Sequence, residues 1–212
     1  MSKGSPTFLL AFEGVDGAGK TSLLERCAAE LGSRERVLET KLAYDLVAIF
    51  QSLFDEPSGE EGAYQDAVPP DFRHGAYIVE ALLQMQREAD LHAQYDVVLF
   101  DRWLQTHWVY LEPPRMHAEW YALLERQIPQ PSLTVYVRVE PELAWERLIR
   151  KDDWMAAKRG RAGLLTYLEE LMARYDEAFA EDPRALVVDG AEPTVALCER
   201  VLTRLGELRV SA

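Results

Sequence analysis

The sequence predicts an α/β sandwich, a mostly parallel central sheet covered by helices on both faces. Three observations carry this: short apolar runs that alternate with helix-periodic segments, a glycine-rich turn joining the first run to the first helix, and no linker or internal repeat dividing the chain. At 212 residues and 48% hydrophobic content, the chain is long enough for one buried core, and residues 1–212 read as a single domain.

The elements follow in order. Phe8 to Phe12 is a compact apolar run, as a buried central strand would be, and Gly32 stops a helix carrying Leu23, Leu24, Cys27, Ala28 and Leu31 on one face. Val37 to Thr40 reads as a second strand, and the apolar positions from Leu46 to Leu53 as a helix. Asp55 to Asp71, rich in Pro, Gly and acid, reads as a loop or mobile excursion, before a long helix over 72–93. Val97 to Phe100 is a strand ending at Asp101-Arg102-Trp103. A helix spans about Met116 to Gln127, and Leu133 to Val139 has the β-branched and aromatic content of a strand. Glu140-Pro141 opens a helix that leads into a basic stretch. Ala185 to Val188 is the last strand, and Pro193 to Leu205 a closing helix.

Composition narrows the function. A net charge of −13 disfavours nucleic-acid polymers and anionic membranes, so an anionic ligand needs a locally basic pocket. The run after Lys3 is too short to span a membrane. Cys27 and Cys198 fall in helical segments and read as free buried thiols of a reducing compartment, which points to the cytoplasm.

Gly14-Val-Asp16-Gly17-Ala18-Gly19-Lys20-Thr21 fits the phosphate-loop pattern at every fixed position, between a strand and a helix as that loop requires. Glycines let backbone N–H groups close around phosphate oxygens, and the helix N-terminus adds its dipole. Lys20 would reach the β- and γ-phosphates and the Thr21 hydroxyl would ligate Mg²⁺, with Ser22 beside it. The fold class is therefore a P-loop NTPase-type sandwich, and ATP with Mg²⁺ the expected cofactors.

Phe12 to Ser22 resembles the phosphate loop of the thymidylate kinase family, in which Phe-Glu-Gly precedes the loop. Asp101-Arg102-Trp103 with Thr106 and Tyr110 is similar to that family's Asp-Arg-Tyr block, and Leu133 to Arg147 resembles the strand, turn and helix leading to its lid. Val188-Asp189-Gly190 fits its adenine-side loop, so the resemblance covers most of the chain. It implies an ATP- and Mg²⁺-dependent nucleotide kinase, usually a homodimer, acting on a small nucleotide-like acceptor. On the matched positions, Asp16 would sit near the acceptor sugar, Arg102 would contact the acceptor phosphate, and Tyr110 would line the acceptor pocket. Asp101 would help hold Mg²⁺ or orient the acceptor.

Arg147, Arg150, Lys151, Lys158, Arg159 and Arg161 cluster in an otherwise acidic chain, with Gly160 and Gly163 among them, and read as a basic lid over about 150–163. Ala18 stands where some family members carry a catalytic Arg. Arg159 is then the leading lid candidate, with Arg150 and Arg161 behind it. The acceptor side departs from the family. Its Arg-Glu-Pro-Gly-Gly block is replaced by Thr40-Lys41-Leu-Ala-Tyr-Asp45, where only Lys41 resembles the Arg. The base-reading Arg of the long helix has no counterpart beside Glu80, and Leu111 replaces a Gln. Glu80, Gln84 and Arg87 form either another recognition face or an exposed one. dTMP is the first acceptor expected. A nucleoside or small-metabolite kinase, with Glu13 or Asp101 as base, is the alternative, and a non-catalytic nucleotide-binding protein the reading from another class. A switch GTPase is disfavoured, because no N-K-x-D motif is found.

Overall fold

A computed structural model describes residues 7–111 and 118–211. Five strands form one parallel sheet: β1 (Phe8–Glu13), β2 (Val37–Lys41), β3 (Val97–Asp101), β4 (Leu133–Arg138) and β5 (Ala185–Asp189), in spatial order β2-β3-β1-β4-β5. Successive residues of a strand face opposite sides of a sheet, and the apolar residues here divide accordingly. Leu10, Phe12, Val97 and Leu99 join one core layer, with α1 (Lys20–Gly32), α9 (Pro141–Arg150), α10 (Trp154–Phe179) and α11 (Thr194–Ser211). Ala11, Val98 and Phe100 join the other, with α5 (Pro70–Arg87) and α7 (Leu104–Leu111). Cys27 and Cys198 are free and buried in the first layer, and Trp103 is fully buried in the second, as a packing residue.

β1 lies at the point where the chain turns from one half of the sheet to the other. A crevice opens there, beyond the carboxyl ends of the strands, where ligands of open α/β sheets bind. The register sets Lys41 opposite Asp101 and Asp101 opposite Phe12, so the neighbouring strand ends deliver their polar residues to one place.

Five segments differ from the sequence expectation. The acidic excursion is helical: α2 (Asp45–Phe50) runs through a π turn (Gln51–Asp55) into α3 (Glu56–Ser58), and α4 (Ala63–Ala67) precedes α5. The buried Asp55 carboxylate explains this, accepting from the N–H groups of Gly62 and Tyr64 at 2.8 Å each. The long helix ends at Arg87, with the short α6 (Ala89–His92) beyond it. α7 follows Trp103 where only a strand end was read, and α8 (Ala118–Glu125) covers part of the expected 116–127 helix, whose first two residues lie outside the described ones. The basic stretch is mostly α10, with one break at Gly160 (φ 63°, ψ 173°).

Glu13, ending β1, ties three elements together. Its side chain is fully buried, with Oε1 accepting from Trp103 N at 2.8 Å and Thr106 N at 3.1 Å. Oε2 accepts from Thr106 Oγ1 at 2.6 Å and Tyr175 Oη at 3.0 Å. Burial pushes its pKa up, against the pull of Thr106 and Arg102. Removing this acceptor orphans buried donors, each at about 1–3 kcal/mol. Glu13→Ala should therefore lower stability by roughly 2–5 kcal/mol in urea denaturation, and Glu13→Gln by less. Equal stability of Glu13→Ala and the parent would refute that role.

Candidate active site

A cleft of about 730 Å³ runs along the carboxyl ends of the strands. At its centre the phosphate loop leaves β1. Gly14, Gly17 and Gly19 all have positive φ (139°, 82° and 103°), which side-chain-bearing residues rarely adopt. The conformation is enforced by crowding as well: a Cβ on Gly14 would lie 2.5 Å from Val137 O, and one on Gly17 2.5 Å from Ala144 O. Asp16, Ala18, Lys20, Thr21 and Ser22 line the cleft with the loop glycines Gly17 and Gly19, and Gly14 sits behind them against β4.

Lys20 is buried, and its ammonium donates to Val15 O at 2.8 Å. Burial, with Arg102 nearby, pushes its pKa down to about 8, against the pull of Asp16, Asp101 and Glu13. Thr21 Oγ1 donates to Asp101 Oδ2 at 3.3 Å, and Lys41 Nζ lies 4.0 Å from that oxygen. The other oxygen, Asp101 Oδ1, is buried without a partner. A hydroxyl beside a carboxylate with an unpartnered oxygen is a donor set that suits Mg²⁺, which takes one or two protein oxygens and fills its shell with water and phosphate. Among the described residues no group of three or more His, Cys, Asp or Glu is placed to hold a metal.

Arg102 adopts φ 78°, strained for a non-glycine residue, at the end of β3. This turns its guanidinium back over the phosphate loop, where it pairs with Asp16 and donates to Thr106 Oγ1 at 3.3 Å. Tyr110 donates to Asp16 Oδ2 at 2.8 Å and lies under the guanidinium, 5.2 Å from ring centre to Cζ. Burial works against the Asp16 carboxylate, yet Arg102 and Lys20 hold its pKa below the usual range. Asp16, Arg102 and Tyr110 thus form one preorganised unit, brought together from three elements.

The lid residues are arranged otherwise than expected. Arg147, at the end of α9, donates to Gly17 O at 3.1 Å, Ala18 O at 2.8 Å and Gly190 O at 2.8 Å, fastening the phosphate loop to the turn after β5. It lines the cleft, as does Arg150. Arg159 stacks on Tyr167 at 3.8 Å and Arg161 on Trp145 at 4.9 Å, so neither extends into the cleft, although Tyr167 does. Asp189 is turned aside to cap Ala191 N at 2.9 Å, leaving Gly190 and Glu192 at the cleft wall. Glu13 is enclosed beneath the cleft rather than lining it.

On the β2–β3 side, Glu80 accepts from the N–H groups of Asp45 and Leu46 at 2.6 and 3.1 Å. Gln84 accepts from Ala43 N at 3.0 Å and donates to Lys41 O at 2.8 Å. These residues clamp the 41–46 loop, and Arg87 pairs with Glu88 outside the cleft. Sequence reasoning missed Arg73, in the first turns of α5. Its Nε donates to Val68 O at 3.1 Å, its guanidinium lies 6.0 Å from the Tyr64 ring centre, and no carboxylate lies within ion-pair distance among the described residues. Tyr77 and His107 stack beside it, 4.7 Å apart, and burial pushes the His107 pKa down to about 3, leaving a neutral imidazole. A lone Arg beside an apparent loop gave no periodic signal in the sequence.

The Lys20 pKa gives a signed prediction. Phosphate binds the ammonium form, which is dominant below about pH 8 in the free protein. ATP affinity should hold steady from pH 6.5 to 7.5 and weaken as pH rises through 8, with proton uptake on binding. Calorimetry in two buffers of different ionisation enthalpy reads this directly, and binding without proton uptake at pH 8.5 would contradict it.

The family model described as Thymidylate kinase matches residues 79–201. The chain is 28% identical to the thymidylate kinase of Verminephrobacter eiseniae, with 97% of this chain and 92% of that protein covered. It is 25% identical to a probable thymidylate kinase of Methanocorpusculum labreanum, over 87% of this chain and 90% of the relative. The thymidylate kinase structure from Ehrlichia chaffeensis superposes with a TM-score of 0.65 at 14% identity, covering 95% and 99% of the two chains, which establishes the shared fold. With the phosphate loop, the strand-end Asp101-Arg102 pair and the parallel sheet in place, the chain belongs to the thymidylate kinase family and is a nucleotide kinase.

Proposed function

We propose that the protein transfers the γ-phosphoryl group of ATP to a nucleoside monophosphate, with dTMP the acceptor. The observation that carries this is the division of one cleft about the phosphate loop. Arg147, Gly190 and Glu192 form its β4–β5 end, suited to the ATP base and ribose, and Lys41, Arg73 and Tyr77 its β2–β3 end, suited to the acceptor. Phosphoryl transfer asks mainly for alignment and charge neutralisation. Lys20 and the loop N–H groups would grip the donor phosphates, and Thr21 and Asp101 would hold Mg²⁺, which would supply positive charge to neutralise the phosphates. Arg102, with Lys41, would receive the acceptor phosphate.

The nucleoside-kinase alternative is less well supported. Glu13, one of its two candidate bases, is fully buried with both oxygens accepting hydrogen bonds. For the base, Arg73 offers only donors, so it favours ring edges with carbonyl oxygens and disfavours amino edges. That supports thymine. Turnover of a panel of nucleosides and monophosphates with ATP and Mg²⁺, read by mass spectrometry, tests the whole reading. dTMP should lead, and dCMP should trail. Arg73→Ala should cut kcat/KM for dTMP by about 10- to 100-fold, while the ATP KM stays within about two-fold. No turnover of any monophosphate would overturn the reading.

A homodimer is supported by an exposed apolar row on α5, Phe72, Val79 and Leu83, extended by Leu123 of α8. Phe72 is 75% exposed and Leu83 60%, unusual for side chains with no other task. Sedimentation should find a dimer that Leu83→Glu dissociates, and a monomeric parent would refute it. The free buried thiols suit the reducing cytoplasm, and no helix of the described residues is long and apolar enough to cross a membrane.

A further inference from the structure

Two features that look unrelated in the sequence, the basic lid and the acidic excursion, meet across the mouth of the cleft. The stretch 153–159 is bracketed by two left-handed residues, Asp152 (φ 53°) and Gly160 (φ 63°). Nothing lies within 4 Å of where a Cβ on Gly160 would be. Between these hinges, Lys158 Nζ lies 2.9 Å from Asp66 and 3.3 Å from Glu60. The Trp154 ring presses on Gly62 so closely that a Cβ there would meet ring atoms at 2.6–3.1 Å. Gly62 is itself fixed by the buried Asp55 carboxylate, and Gly62, Tyr64 and Gln65 form part of the cleft wall near Arg73.

We infer that Lys158 is a positioning residue, and that the 55–67 segment is a latch that holds the 153–159 turn over the cleft through it. The lid and the acceptor wall then open and close together. The charge of Lys158 is committed to two carboxylates, whereas Arg147, Arg150 and Lys151 line the cleft. The three groups are partly exposed, with side-chain exposures of 34% for Lys158, 62% for Glu60 and 77% for Asp66. Such pairs are weak individually. Weakness suits a contact that must release at each turnover.

The inference rests on the kinase reading for its kinetic consequence, but not for its structural one. Hydrogen exchange on the full chain, with no substrate, should find 55–67 and 152–160 exchanging faster together in Lys158→Met. Lys158→Arg should match the parent, and Asp66→Asn with Glu60→Gln should reproduce Lys158→Met from the other side. In turnover, Lys158→Met should raise the acceptor KM about 3- to 10-fold with the ATP KM within about two-fold. Exchange in 55–67 that ignores Lys158→Met would overturn the latch, as would an unchanged acceptor KM. A parent that phosphorylates no monophosphate sinks the kinase reading alone, and the exchange result then decides the latch.

Discussion

The site depends on one buried carboxylate. A charged group with no solvent costs several kcal/mol unless donors surround it, and Glu13 is surrounded by the backbone of the β3–α7 turn, the Thr106 hydroxyl and Tyr175 of α10. Satisfying Glu13 draws residues 103–106 against the end of β1. That closeness forces Arg102 into its left-handed conformation, with its N–H donating to Phe12 O at 3.0 Å and its guanidinium over the phosphate loop. A side chain enclosed beneath the cleft thus sets the position of one that lines it.

A second constraint fixes the donor side. The phosphate loop has no room for side chains at Gly14 and Gly17, because β4 and α9 press on it from behind. Arg147 then binds loop carbonyls that would otherwise present negative dipoles to the phosphates. One guanidinium thus satisfies two loop carbonyls and ties the loop to the β5 turn. The β2–β3 side of the cleft is built differently, because helical pieces held by side-chain hydrogen bonds join the strand ends there.

That difference explains what could be read from the sequence. The five strands, the phosphate loop and the Asp101-Arg102 block were legible because buried parallel strands are apolar throughout, and because a phosphate loop permits few residue types. Asp16, Lys20, Thr21, Arg102 and Tyr110 do converge. The 55–71 segment was misread because its order comes from Asp55 capping distant N–H groups, which leaves no periodicity. Arg147 was read among the basic lid residues, and its role in fastening the phosphate loop to the β5 turn shows only in the fold. Arg73, beside an expected loop, was passed over. Arg159, favoured because Ala18 leaves the phosphate loop without an Arg, stacks on an aromatic ring that the sequence does not reveal.

The clamp of Glu80 and Gln84 on the 41–46 loop has a consequence for how this protein can change. In the pattern it resembles, a Pro-Gly-Gly turn shapes that loop from within, so the loop's own residues are committed to its conformation. Here the shape is imposed from α5, by carboxylate and amide groups that grip backbone atoms of Lys41, Ala43, Asp45 and Leu46. Backbone contacts are indifferent to side-chain identity. The Tyr44 side chain, which lines the cleft, can therefore be exchanged without removing any of these four backbone contacts.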